Sequence, residues 1–340
     1  MHKKTGILIF ILLFTTTISF AQQEKSRKKI NFDFGWKFHF GNADNPREDF
    51  NYGIANILSK EERVGGTCIA PSFNDSSWEK VQLPHDWVVQ LPFVDSPDFD
   101  VMAHGYKPVG GLFPAPSIGW YRKTFILPNA DSAKRFAIQF DGIYRNSKIW
   151  LNGNFVGSNF SGYIGNTFDI TNYLRFGKKN VLVVRVDATQ YEGWFYEGAG
   201  IYRHVWLKEF NNVHISNHGI FAYSKVRKNK ADISVSITVQ NQQLLPANCK
   251  VYTYITSRDG KKIASAKEQT LSLGINENKN ISESLELDDP HLWSLEDPYL
   301  YRVIAVIKND NEVTDSQQLR FGIRTITIDK DQGLDRKSVL

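Results

Sequence analysis

From Phe32 onward the chain offers one short apolar run after another and nowhere keeps a helical period. The runs "GWYRKTFIL" (119–127), "RFAIQFDGI" (135–143), "NSKIWLNGNFVGSN" (146–159), "NVLVVRVDA" (180–188) and "IYRHVWLKEF" (201–210) are rich in β-branched and aromatic residues, with turn residues between them. Such side chains fit a pleated, half-buried surface, so the spacing predicts an all-β chain. Inside the third run, Asn152-Gly153 stands between two apolar stretches. That predicts a hairpin closed by a type I′ turn, which needs positive φ at both central residues. One short helix is expected at "DITNYL" (169–174), with Asp169 or Thr171 capping its first turn.

The region between Phe40 and Gly119 is different, being rich in Pro, Gly and Asp, as in "PREDFNYGIANILSKEERVGGT" (46–67). Long loops on a rigid sheet are where binding residues tend to be carried. About eight strands with such loops fit a jelly-roll sandwich over residues 31–210. A second β block begins near His214. In "ADISVSITVQN" (231–241) Ile233, Val235, Ile237 and Val239 alternate with Ser and Thr, so one face is buried and one is wet. "CKVYTYITSRDGKK" with a hairpin at Asp259-Gly260, "NISESLELD", "YLYRVIAVIKNDNE" and "QQLRFGIRTITID" follow. Five or more short strands over residues 211–326 predict an immunoglobulin-like sandwich. Two domains also suit a chain of 340 residues.

The first 21 residues read as a secretory signal peptide, with Lys3 and Lys4, an apolar run from Ile7 to Phe14, and Ser19 and Ala21 before a cut after Ala21. The run is too short for a membrane span, and no Cys follows it to carry a lipid. A secreted or periplasmic protein with no membrane span is expected. Residues 22–30 are read as a solvated basic linker. Residues 1–30 hold six Lys or Arg against one Glu, while the rest balances 35 basic with 35 acidic residues. No basic face for nucleic acid is implied. Cys68 and Cys249, one in each block, do not point to a disulfide, and no Cys and His cluster has metal-ligand spacing. If the source is bacterial, as the style of the signal peptide suggests, the sequons headed by Asn74, Asn159 and Asn280 are coincidences.

Several stretches, in order, carry a resemblance: "QLPHDW" (82–87), "GWYRKTF" (119–125), "FDGIYRNSKIWLNGNFVG" (140–157), "NVLVVRVDA", "EGAGIYRHVWL" (197–207), "PHLWSLEDPYLY" (290–301) and "FGIRTI" (321–326). Together they resemble the N-terminal half of glycoside hydrolase family 2, which includes β-galactosidases, β-glucuronidases and β-mannosidases. The resemblance implies a jelly-roll (galactose-binding-like) sugar-binding domain, then an immunoglobulin-like domain, then a catalytic TIM barrel. After "FGIRTI" residues 327–340 remain, a stub where a barrel needs at least about 200 residues. Retaining glycosidases use two carboxylates about 5 Å apart, and in this family both are barrel glutamates. No catalytic residue, cofactor or metal is therefore assigned.

The chain reads as the non-catalytic N-terminal portion of an exported β-galactosidase-like hydrolase, cut short before the barrel, which would be its partner in cis. The alternative is a standalone carbohydrate-binding or adhesion module. A complete hydrolase is disfavoured because no carboxylate pair is identifiable. A β-linked sugar is the expected ligand, and oligomeric state is left open.

The resemblance also implies substrate-binding residues. In the family the segment before "GAGIYR" reaches the barrel's active-site mouth. Trp194 and Tyr196 would offer flat apolar faces there and Glu197 a hydrogen-bonding carboxylate. Asp187 matches a strand-end aspartate near the sugar in the family's β-galactosidases. The competing readings are packing for the aromatics and turn capping for Asp187. His85 beside Asp86 makes no triad, since no nucleophile motif accompanies it. Those two are read as holding a loop, Trp87 as core, and Asp141, Arg145 and Asn146 as a turn network.

Overall fold

The computed structural model describes residues 26–45, 47–53, 66–95, 112–190, 198–309, 312–329 and 333–335. Its two compact units are Lys29–Glu209 and a second that runs from Phe210 and includes Arg27.

The first unit is a jelly roll. A six-stranded sheet runs in the order Glu79–Val81, Trp36–Phe40, Ser117–Ile126, Lys179–Ala188, Ser147–Leu151, Asn154–Asn159. A four-stranded sheet runs Lys28–Asn31, Val205–Phe210, Arg135–Phe140, Asn166–Asp169. Trp36, Trp87, Tyr121, Phe136, Ile138 and Leu182 belong to the main core. A further cluster places Trp120, Trp150 and Val183 against Cys68, Ile69 and Trp78, with Phe50, Tyr52 and Phe73 packed on it. Val181 to Val186 are buried on both faces, which is why "VLVVRV" runs apolar instead of alternating. Part of the Pro- and Gly-rich loop region thus packs the sheet.

Two local expectations are corrected. Lys28 to Ile30, read as part of the linker, belong to a strand, Lys28–Asn31, beside Val205–Phe210, and the Lys29 ammonium lies 3.9 Å from the centre of the Trp206 ring. Backbone groups at a sheet edge are better satisfied by pairing, and Trp206 gives the cation a partner. At "DITNYL" there is only a single 3₁₀ turn, Thr171–Tyr173, whose N-cap is Ile170. Asp169 Oδ1 accepts from the Thr171 amide at 2.9 Å, while the Thr171 hydroxyl is drawn into bonds with the Phe136 backbone.

The Asn152-Gly153 hairpin is present with φ of 54° and 84°, as a type I′ turn requires. Asn152 is buried, donating to Tyr173 O and Asn180 Oδ1 at 2.8 Å and accepting from the Val181 amide at 2.9 Å. A Cβ at Gly153 has no such freedom. Gly153→Val is expected to cost about 1–2 kcal/mol, read as a lowered melting temperature of the jelly-roll unit; an unchanged melting temperature would contradict the turn's role.

The second unit is an immunoglobulin-like sandwich. Val213–Arg227, Lys230–Asn241 and Asn278–Asp288 form one antiparallel sheet. Lys262–Ser265, Ala247–Thr256, Tyr301–Asn309 and Glu312–Phe321 form the other, and Gln269–Leu273 also pairs with Ala247–Thr256. The alternation of "ADISVSITVQN" is reproduced: Ile233, Val235, Ile237 and Val239 lie in the core and the residues between them are half-buried. Asp315 is wholly buried. It accepts from Arg27 Nε and Nη2 at 2.9 and 2.7 Å and from the Ile215 amide at 2.7 Å. Cys68 and Cys249 are free and buried, each in its own unit.

Candidate functional site

The strand Lys179–Ala188 carries a row of valines through the jelly roll and delivers Asp187 at its end. Its carboxylate is a quarter exposed and well held. Asp187 Oδ2 accepts from Arg185 Nη1 at 2.9 Å, and Oδ1 accepts from the Thr189 hydroxyl at 2.7 Å and the Thr189 amide at 3.2 Å. Burial pushes this carboxyl up, but the Thr189 bonds and the Arg185 guanidinium outweigh it and hold it below its ordinary value. Asp187 is therefore ionised at neutral pH. Acid catalysis calls for the opposite shift. It is suited to accept hydrogen bonds, because each carboxylate oxygen has more than one lone pair.

The backbone around Asp187 is tied to one short segment. The Asp187 amide donates to Arg145 O at 3.1 Å, while Tyr144 and Gly200 exchange two bonds at 2.8 and 2.9 Å. Gly200 is at φ 121°, and a Cβ there would meet His85 O at 2.4 Å and the Tyr121 hydroxyl at 2.6 Å. That explains the glycine in "GAG". The chain on both sides of residues 191–197 is thus pinned to the adjacent residues Tyr144 and Arg145. Trp194, Tyr196 and Glu197 lie outside the described residues, so of the four site residues expected from the sequence only Asp187 has a described environment.

The bland readings of neighbouring motifs hold. Trp87 is fully buried, and Asp86 Oδ1 accepts from the amides of Val88 and Ala199, both at 3.1 Å. His85 Nδ1 lies 2.8 Å from the Tyr121 hydroxyl, and burial pushes the imidazole below its ordinary value, leaving it neutral. Asp141 accepts from Trp206 Nε1 at 2.8 Å, and Asn146 sits at φ 46° in the turn. Ile201 and Val205 are core, while Tyr202 and Trp206 are half-buried.

Sequence reasoning missed what stands behind Asp187. Arg185 is buried, and its Nε donates to Asp49 Oδ2 at 3.1 Å. Asp49, 1% exposed, also accepts from Trp120 Nε1 at 2.6 Å. The Arg185 guanidinium lies 4.1 Å from the centre of the Tyr52 ring. The one available signal was an arginine inside a valine strand, which demands an acid partner. Nothing local names Asp49, because it lies 136 residues away. Among the described residues no group of His, Cys, Asp and Glu could hold a metal ion, and no helix is long and apolar enough to cross a membrane.

Comparison with known proteins follows the same two units. The family model "Glycosyl hydrolases family 2, sugar binding domain" matches residues 111–210, and "Glycosyl hydrolases family 2" matches residues 213–324. A β-galactosidase of Bacteroides ovatus is 32% identical over 312 residues, spanning 90% of this chain and 33% of that protein. A β-glucuronidase of Formosa agariphila is 28% identical over 331 residues, spanning 90% of this chain and 30% of that protein. The solved structure of a glycosyl hydrolase family 2 member from Bacteroides cellulosilyticus superposes with a TM-score of 0.72 at 31% identity, covering 90% of this chain and 38% of its own. The chain spans about a third of the length of these curated relatives. With both models matched in tandem on the two sandwiches, the chain belongs to glycoside hydrolase family 2, of which it carries the N-terminal sugar-binding and immunoglobulin-like domains.

Proposed function

We propose that this chain is the non-catalytic N-terminal portion of an exported β-galactosidase-like glycosidase, and that its jelly roll contributes Asp187 to the binding of a β-linked terminal sugar. The observation that carries the reading is the state of Asp187: ionised, a quarter exposed, and oriented by Arg185 and Thr189 with acceptor capacity to spare. Family membership and a β-galactosidase relative of about three times the length support the assignment to a larger enzyme. Trp194, Tyr196 and Glu197, close in sequence to Asp187, complete the proposed contact, the aromatics against the sugar's apolar face and Glu197 toward its hydroxyls. Export rests on the leader at residues 1–21. A standalone adhesion module is not favoured, since the matched relatives are glycosidases.

Calorimetric titration of the purified chain with β-galactosides tests the binding, and nitrophenyl β-glycosides test catalysis. No turnover is expected. Asp187→Asn should weaken binding about tenfold, since a hydrogen bond to a charged group contributes about 1.5–3 kcal/mol. Turnover by the chain alone, or equal binding by a folded Asp187→Asn variant, would overturn the corresponding half of the reading.

A further inference from the structure

The outer face of the immunoglobulin-like unit's second sheet sets cations opposite one another at two places. Val251, Thr253 and Ile255 point into the core, so Lys250, Tyr252 and Tyr254 share the opposite face. In the antiparallel register Lys250 stands directly opposite Lys308, and Arg302 directly opposite Arg320. Like charges facing each other across strands are destabilising. Here two such pairs lie on one face, separated along Tyr301–Asn309 by about 20 Å, six residues at about 3.3 Å each.

Between the pairs lie the two tyrosines, ring centroids 5.5 Å apart at 31°. Lys262 bonds the Tyr252 hydroxyl, and its ammonium lies 4.8 Å from the Tyr252 ring centre and 5.6 Å from that of Tyr254. Lys308 lies 5.6 Å from the Tyr252 ring. Among the described residues a single carboxylate pairs with any of these five cations: Glu268, with Lys250 at 3.2 Å and Lys308 at 3.6 Å. Burial pushes the Tyr252 phenol up, yet the bonds from Lys262 and Ser265 and the charges of Lys262 and Lys308 outweigh it and lower it, as a net cationic field requires.

We propose that this face, with Lys250 and Lys308 at one end, Arg302 and Arg320 at the other and Tyr252 and Tyr254 between, is a secondary binding surface for a linear acidic oligosaccharide bearing carboxylate or sulfate groups. The cations meet the anionic substituents, and the tyrosine rings meet the apolar face of the intervening sugar. A polyphosphate fits less well: its charge is dense and continuous, whereas these cations are grouped at two ends with a single one between. The surface lies in a different unit from Asp187 and does not depend on its role.

The test is fluorescence anisotropy of the full 340-residue chain with a labelled oligogalacturonate, a neutral galacto-oligosaccharide of equal length, and a single-stranded oligodeoxynucleotide. Binding of the oligogalacturonate that weakens with salt is expected, with little binding of the neutral sugar. Lys308→Ser combined with Arg302→Ser should weaken it at least about tenfold. Tyr252→Ala should weaken it with an unchanged salt slope, and Glu268→Gln, which removes the carboxylate paired with Lys250 and Lys308, should tighten it. Asp187→Asn should leave it unchanged, which separates this surface from the sugar contact of the jelly roll. No binding, equal binding of the neutral sugar, tighter binding of the oligonucleotide, or indifference to both Tyr252→Ala and Glu268→Gln in melting-matched proteins would overturn it.

Discussion

Replacing Arg185 with methionine should lower the stability of the jelly-roll unit by about 3–5 kcal/mol, the range for removing one partner of a buried ion pair. Met fills much of the volume, so packing is largely kept and the loss is electrostatic. Asp49, buried and bonded to Trp120 Nε1, would be left without its cationic partner, and Asp187 would lose the bond that orients Oδ2. Denaturant unfolding followed by tryptophan fluorescence reads the effect as a lower midpoint at constant slope. Adding Asp49→Asn should recover much of the loss, since the neutral amide still offers an acceptor to Trp120 and no buried charge is left unpaired. A single variant with the wild-type midpoint would show that the network behind Asp187 carries no stability.

The second large effect is a pH dependence of the immunoglobulin-like unit. His214 is buried against Phe210, ring centroids 4.5 Å apart, with the Arg27 guanidinium in the same cluster. Burial, with the Arg27 charge adding to it and Asp315 opposing, lowers the imidazole from 6.5 to about 4. Between those values the unfolded chain binds a proton that the folded one does not, so stability is full above pH 6.5 and falls as pH drops towards 4. At 1.36 kcal/mol per pH unit the loss reaches about 3 kcal/mol. His214→Phe should flatten this slope. A melting temperature in wild type that does not fall between pH 7 and 4.5 would contradict it. His85 acts in the same direction in the jelly roll, whereas the lowered carboxyls of Asp33, Asp75, Asp169 and Asp187 withdraw their contributions only as pH falls below the ordinary carboxylate value.

Much of this was legible in the residues. The period of two in "ADISVSITVQN" and the Asn152-Gly153 turn are local signals, each set by backbone geometry within a few residues. They led to the right sandwich and the right hairpin. The short helix expected at "DITNYL" shrinks to the 3₁₀ turn Thr171–Tyr173, with the Thr171 hydroxyl bonded to Phe136 of a neighbouring strand. Charge alone marks residues 22–30 as a linker, and charge does not reveal that Lys29 has a tryptophan to lie against.

The candidate site divides along the same line. Sequence by itself determined that Asp187 ends a strand, that glycines bracket the aromatic segment after it, and that the order of motifs is that of glycoside hydrolase family 2, since all of these depend on neighbours in the chain. Only the tertiary structure decided that Asp187 is held ionised by Arg185, that Arg185 in turn needs Asp49, and that Lys250 and Arg302 face cations of their own sign across the strands. Those are contacts between residues distant in sequence. Their energies follow from burial and register, which exist only once the sheets have formed.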